Sequence, residues 1–212
     1  MDPIEEQPEQ LPSGTMLEIL EGAQRAVLPQ GVQLRPVYKK GISLTKVSEG
    51  WVPRRYNDSA GYCTVGYGHL LKKARCDGTG PEVEFLNGIT EPRGEDLLVD
   101  DIEQAQITVI LAVKRQLTEG QYAALCDFTF NVGGANFRNS TLLKVVNAGQ
   151  FDRVPSQFER WTLAGGKEWP GLVTRRQREI EIFFDGQQVT RAVPQPGEDL
   201  SPVDVQKGEP TR

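Results

Sequence analysis

The sequence predicts an α+β fold, a small antiparallel sheet lobe with a mainly helical lobe. Two observations carry that expectation. Residues 62–67, Tyr62-Cys63-Thr64-Val65-Gly66-Tyr67, are rich in β-branched and aromatic side chains and follow the turn-forming stretch Tyr56-Asn57-Asp58-Ser59-Ala60-Gly61. From Leu97 onward, apolar residues recur at helical spacing. Strand signals grouped in one stretch, rather than alternating with helix signals, argue for α+β organisation.

In chain order, residues 1–14 are rich in Glu, Gln and Pro and read as disordered. Thr15-Met16-Leu17-Glu18 fits a capping box that opens a short helix over 15–28, closed by Pro29-Gln30-Gly31. A helical pattern from Tyr38 to Gly50 runs through Ile42, Leu44 and Val47. The sheet signal follows, and residues 77–94 read as a Gly- and Pro-containing loop. Leu97, Leu98, Ile102, Ala105, Val109, Ile110 and Val113 define a helix ending near Leu117, and Thr118-Glu119-Gly120-Gln121 is a second capping box. Tyr122–Phe130 is apolar enough for a central buried helix, broken by Asn131-Val132-Gly133-Gly134. Shorter helices are expected over 140–148, 152–161 and 171–184, and the Pro-containing tail 187–212 reads as disordered. The organisation is therefore an extension (1–37), a central domain (38–186) and a tail (187–212).

Composition narrows the function. The chain has 212 residues, with 24 Lys+Arg against 29 Asp+Glu and a formal net charge of −5. No run approaches the ~20 apolar residues of a membrane span. The start, Met1-Asp2-Pro3-Ile4-Glu5-Glu6, lacks the basic and apolar regions of a secretory signal. Three Cys and one His do not make a zinc site, so no metal or cofactor is expected. Charge is sorted along the chain. Residues 38–76 hold eight bases and only two acids, Glu49 and Asp58, while 77–113 hold nine acids and one base. A basic segment attracts polyanions, but the acidic total and the lack of a recognised motif argue against nucleic acid.

Those two isolated acids belong to a longer pattern. Glu49-Gly50, Tyr56-Asn57-Asp58 and Gly61-Tyr62-Cys63-Thr64-Val65-Gly66-Tyr67-Gly68-His69 place Asp58 nine residues after Glu49 and Thr64 six after Asp58. This run resembles the active-site segment of phage-type lysozymes. Phe130-Asn131-Val132-Gly133, Ser140-Thr141-Leu142-Leu143, Trp161 and Arg175-Arg176-x-x-Glu179 resemble the helical lobe of the same family, so the likeness covers 38–186. The resemblance implies a two-lobed lysozyme with the glycan between the lobes. It implies Glu49, Asp58 and Thr64 as catalytic residues, and Leu70, Phe130 and Ser140 as substrate-binding residues.

The chemistry is consistent with these residue types. Glycoside hydrolysis uses one protonated carboxyl to protonate the leaving oxygen and one ionised carboxylate on the opposite side. Glu49, at a helix end beside Val47, Trp51 and Val52, is expected to be desolvated and protonated. Asp58, in a polar turn, is expected to be wetter and ionised. By resemblance, Thr64 places the attacking water and the anomeric centre inverts. Cys63 and Cys76 form either a disulfide or two free thiols, according to compartment. His69 reads as a structural hydrogen-bonding group, and Cys126 as core.

The expected activity is that of an endolysin. It cleaves β-1,4 bonds between N-acetylmuramic acid and N-acetylglucosamine in peptidoglycan glycan strands, with chitin a weaker alternative substrate. The expected protein is a monomer without stable membrane insertion. It resides in the host cytoplasm until a holin releases it to the periplasmic peptidoglycan. Two rival readings are a virion- or secretion-machine-delivered lysozyme and a non-catalytic peptidoglycan-binding module.

Overall fold

A computed structural model of the chain describes residues 27–58 and 61–210. The expected disorder over 1–14 and most of the helix expected over 15–28 lie outside these residues, and 27–28 are not helical. The chain divides into two compact units: Glu49–Leu98, and a second that includes 27–48 and Val99–Arg212.

The first unit opens at the end of helix α1, Lys39–Glu49. Gly50 stops that helix, with a φ of 74° that favours glycine. Strands β1 (Val52–Asn57), β2 (Cys63–Gly66) and β3 (His69–Lys72) form an antiparallel sheet in the order β1-β2-β3. The sequence signalled only the middle strand clearly. β1 escapes because Pro53, Arg54 and Arg55 are poor strand formers, and β3 because four residues carry little periodicity. Register places Tyr56 opposite Thr64, and Thr64 opposite Leu70. One sheet face joins the unit's core, where Cys63, Val65 and Leu71 meet Phe85 and Leu97. Trp51 lies 5.0 Å from the Tyr67 ring and covers Gly94, where a Cβ would fall 2.2 Å from the indole. The expected loop over 77–94 contains a 3₁₀ turn, Gly80–Phe85.

Helix α2, Glu91–Ala112, starts six residues before the first periodic apolar residue and continues into the second unit. There follow α3 (Glu119–Val132), α4 (Gly134–Asn139), α5 (Thr141–Ala148), α6 (Val154–Glu159) and α7 (Pro170–Phe184), with a short hairpin of β4 (Leu163–Ala164) and β5 (Lys167–Glu168). The capping box at Thr118 is present in both directions: Thr118 Oγ1 accepts from Gln121 N–H at 3.2 Å, and Gln121 Oε1 accepts from Thr118 N–H at 3.1 Å. α3 is the buried centre of this unit. Phe128 meets Phe158 and Trp161 edge-on at 5.3 Å, with Phe137 at 6.3 Å.

The tail departs from expectation. Residues 187–210 form a strap seated on the helical unit rather than a disordered end. Val203 and Val205 are each 3% exposed. The strap pairs with Leu163 through Leu163 N–H to Val203 O (3.2 Å) and Val205 N–H to Leu163 O (2.8 Å). Glu209 accepts hydrogen bonds from Thr141 N–H (2.9 Å) and Arg160 (3.1 Å). Pro residues and the lack of periodicity hid this segment, because a strap takes its order from the surface it pairs with.

Removing the Glu209 carboxylate leaves the nearly buried Arg160 guanidinium short of a partner. Glu209→Ala should therefore lower unfolding stability by about 1–3 kcal/mol, read by denaturant titration. An unchanged midpoint would show that the strap is not anchored there.

Candidate active site

All three expected catalytic residues fall in the sheet unit. Glu49 ends α1 and is half-buried, and Thr64 sits on β2 and is 1% exposed. Asp58, at the mouth of the β1–β2 turn, is 7% exposed. This corrects the expectation of a wet Asp58. The Tyr62 backbone engages this residue in both directions: Asp58 N–H donates to Tyr62 O at 2.9 Å, and Tyr62 N–H donates to Asp58 Oδ1 at 2.8 Å. Burial and hydrogen bonding thus occur together, as a buried carboxylate requires. The apolar surround expected for Glu49 also needs amendment, because Val47 is 62% exposed.

Thr64 is oriented by the same residue's backbone. Its hydroxyl donates to Tyr62 O at 3.1 Å, so toward any further polar group it acts as an acceptor. Tyr56, across the ladder from Thr64, brings the acids into relation. Burial first, then the charges of Glu49 and Asp58, push its phenol up to about 12. Both carboxylates therefore act on one hydroxyl. The sequence pattern contained this aromatic residue without giving it a role.

The sheet is held by a group the sequence reading missed. Glu82, fully buried, faces the Arg55 guanidinium, accepts from Asp77 N–H (3.0 Å) and Gly78 N–H (2.9 Å), and pairs with Lys72 Nζ at 2.5 Å. Burial alone would raise its pKa; Lys72, the two N–H donors and Arg55 outweigh that and hold it at about 2. Its cue was the basic run 38–76 meeting the acidic run after 77. Cys63 and Cys76 are joined as a disulfide, and Cys76 N–H donates to Asn57 Oδ1 at 2.8 Å. The residues next to Asp58 and Thr64 are thereby cross-linked. Cys63, Cys76 and Glu82 lie close enough to suggest metal ligation, but the two sulfurs are bonded to each other and Glu82 is engaged by cations, so the trio does not suit an ion.

Of the expected substrate-binding residues, Leu70 is half-buried on β3, beside Thr64. Phe130 is 6% exposed on α3. Ser140 is wholly buried, and its hydroxyl caps α5: it accepts from Leu143 N–H at 3.1 Å and donates to Phe137 O at 2.7 Å. The Ser140 hydroxyl therefore has a capping role, which Ser-Thr-Leu-Leu ahead of a helical run signals by itself.

Comparison with known proteins gives the family. The phage lysozyme family model matches residues 46–179. The chain belongs to the phage lysozyme family. It is 35% identical over 153 residues to the endolysin of Bacillus phage B103, covering 71% of this chain and 55% of that relative. It is 37% identical over 133 residues to the SAR-endolysin of Enterobacteria phage P21, covering 63% of this chain and 75% of the relative. This phage lysozyme chain thus spans about half the length of the Bacillus phage protein. Among solved structures, a P22 lysozyme mutant superposes with a TM-score of 0.62 at 31% identity, covering 71% of this chain and 99% of that one. The matched segment includes Glu49, Asp58 and Thr64 and stops before the strap.

Two measurements check the supports of this lysozyme sheet. Because the native Glu82 carboxyl sits near 2, below its unfolded value of about 4.3, its stabilisation is complete above that unfolded value and is lost as pH falls toward 2. The melting-temperature gap between wild type and Glu82→Gln should narrow across that window, and a constant gap would contradict the assignment. Reduction of the Cys63–Cys76 bond, or Cys76→Ser, should lower stability by about 3 kcal/mol on the chain-entropy estimate, measured as a shift in denaturant midpoint. Equal midpoints for oxidised and reduced protein would remove the disulfide's role.

Proposed function

We propose that this protein is an endolysin hydrolysing the β-1,4 bond between N-acetylmuramic acid and N-acetylglucosamine in bacterial peptidoglycan. The observation that carries the reading is the Tyr56 hydroxyl in the field of both Glu49 and Asp58, which brings two carboxyl groups to one region of the sheet unit. Two carboxyl groups of unlike surroundings are what glycoside hydrolysis needs.

Glu49 is the general acid. It stands at the C-terminal end of α1, the negative end of the helix dipole, where a neutral carboxyl is favoured over a charged one. It donates its proton to the glycosidic oxygen as the bond to the anomeric carbon breaks. Asp58 is the general base, aimed by Tyr62 N–H. A water gives one hydrogen bond to Thr64, whose own proton is engaged by Tyr62 O, and loses its other proton to Asp58 as its oxygen attacks. Attack from the face opposite the leaving group inverts the anomeric centre. Leu70, beside Thr64 on the same face, borders the sugar. No metal or cofactor enters these steps.

Among the described residues no helix is long and apolar enough to cross a membrane. The proposal includes a monomeric enzyme held in the host cytoplasm until a holin opens the route to the wall.

The test is clearance of permeabilised Gram-negative cells. Wild type should lower turbidity. Glu49→Gln should keep its fold and glycan binding yet lose turnover by about 10²–10⁴-fold. Lysis by Glu49→Gln at the wild-type rate would end the acid assignment.

A further inference from the structure

We propose that Tyr56 is a substrate-contacting residue, its phenol donating a hydrogen bond to an oxygen of the N-acetylated sugar at the scissile bond. The inference rests on the hydrolase reading above and adds a contact to the same site. Register is the first support. Tyr56 pairs with Thr64, and Thr64 with Leu70, so the three form one row across β1, β2 and β3. Cross-strand partners share a face. That face is opposite the one on which Cys63, Val65 and Leu71 enter the core. Asp58, two residues beyond Tyr56, follows it on the chain at the end of β1.

Reach is the second support. The threonine hydroxyl stands one bond beyond Cβ, whereas the tyrosine hydroxyl stands a full ring beyond it. On a shared face Tyr56 therefore projects past Thr64, into the space a sugar would take rather than that of a water held against Asp58. The third support is the state of the hydroxyl. Tyr56 is only half-buried, and its hydroxyl makes no hydrogen bond to any described residue. By contrast Tyr67 donates to Glu91 at 2.7 Å and Tyr122 to Arg35 O at 2.7 Å. The Tyr56 hydroxyl lies in the field of two carboxyl groups and keeps its proton. A group that stays protonated is a donor throughout the pH range in which a carboxyl acid–base pair works. Oxygens of a polysaccharide accept such a bond.

The decisive variant is Tyr56→Phe, which keeps the ring and deletes the donor. Its effect is measured on soluble peptidoglycan glycan strands, together with its melting temperature. The expected result is a fall in kcat/KM of about tenfold, the size of one hydrogen bond, with the melting temperature unchanged. Binding supplies the second readout: in the non-hydrolysing Glu49→Gln background, adding Tyr56→Phe should weaken glycan affinity by a similar factor. Activity within twofold of wild type overturns the proposal. So does a loss of turnover with undiminished affinity in the Glu49→Gln background, which would make Tyr56 an organiser of the carboxyl groups instead. A wild-type protein that leaves glycan strands intact would defeat the hydrolase reading itself, an outcome distinct from either.

Discussion

The Tyr62 backbone is the constraint on which the candidate site depends. Its N–H aims the Asp58 carboxylate, and its carbonyl receives both the Asp58 N–H and the Thr64 hydroxyl. The backbone of one residue thus fixes the Asp58 carboxylate and the Thr64 hydroxyl relative to each other, at the junction of β1 and β2. A polar pair with little exposed surface persists only when its hydrogen bonds are made inside the protein. Here that requirement also sets the orientation that the chemistry needs.

The supports of this turn are concentrated at its edges. Glu82 draws Arg55 of β1 and Lys72 of β3 onto one buried carboxylate, and the Cys63–Cys76 bond ties the start of β2 to the chain beyond β3. A three-stranded sheet of short strands has little apolar area of its own. Charge pairing and a covalent link supply the rigidity that a larger core would give elsewhere. The helical unit solves a different problem with different means. Asp127, Arg175, Arg176 and Glu179 are all buried there, with Arg175 bound to Asp127 at 2.9 Å and Arg176 to Glu179 at 2.9 Å. Burial pushes the Glu179 carboxyl up and the Arg176 guanidinium down to about 10. Arg175 holds Asp127 below the usual carboxylate range against the pull of burial. Such a cluster adds little net stability but is costly to break, so it fixes how α3 and α7 pack.

Several features were legible because their signals are local. The capping box at Thr118, the end of α1 at Gly50 and the strand at Cys63–Gly66 each follow from a few adjacent residues. The strands β1 and β3 were less visible because Pro53, Arg54 and Arg55 read as loop, and their pairing comes from β2. The Arg175-Arg176 run lies on α7, and its burial in ion pairs depends on Asp127 of α3 and Glu179 of α7. The strap at Val203–Val205 was misread as disorder because its partners, Leu163 and Arg160, lie some forty residues earlier.

By itself, the sequence determined the residue types and spacing of Glu49, Asp58 and Thr64, the α+β order of elements, and the separation of a basic from an acidic segment. Those properties depend on neighbours along the chain. Tertiary structure alone decided that Asp58 is buried rather than wet, that Ser140 is wholly buried, that Glu82 anchors the sheet, and that Tyr56 stands in a row with Thr64 and Leu70. Each of these depends on which distant groups surround a side chain. Desolvation and hydrogen bonding are set by that surrounding, and no periodicity records it.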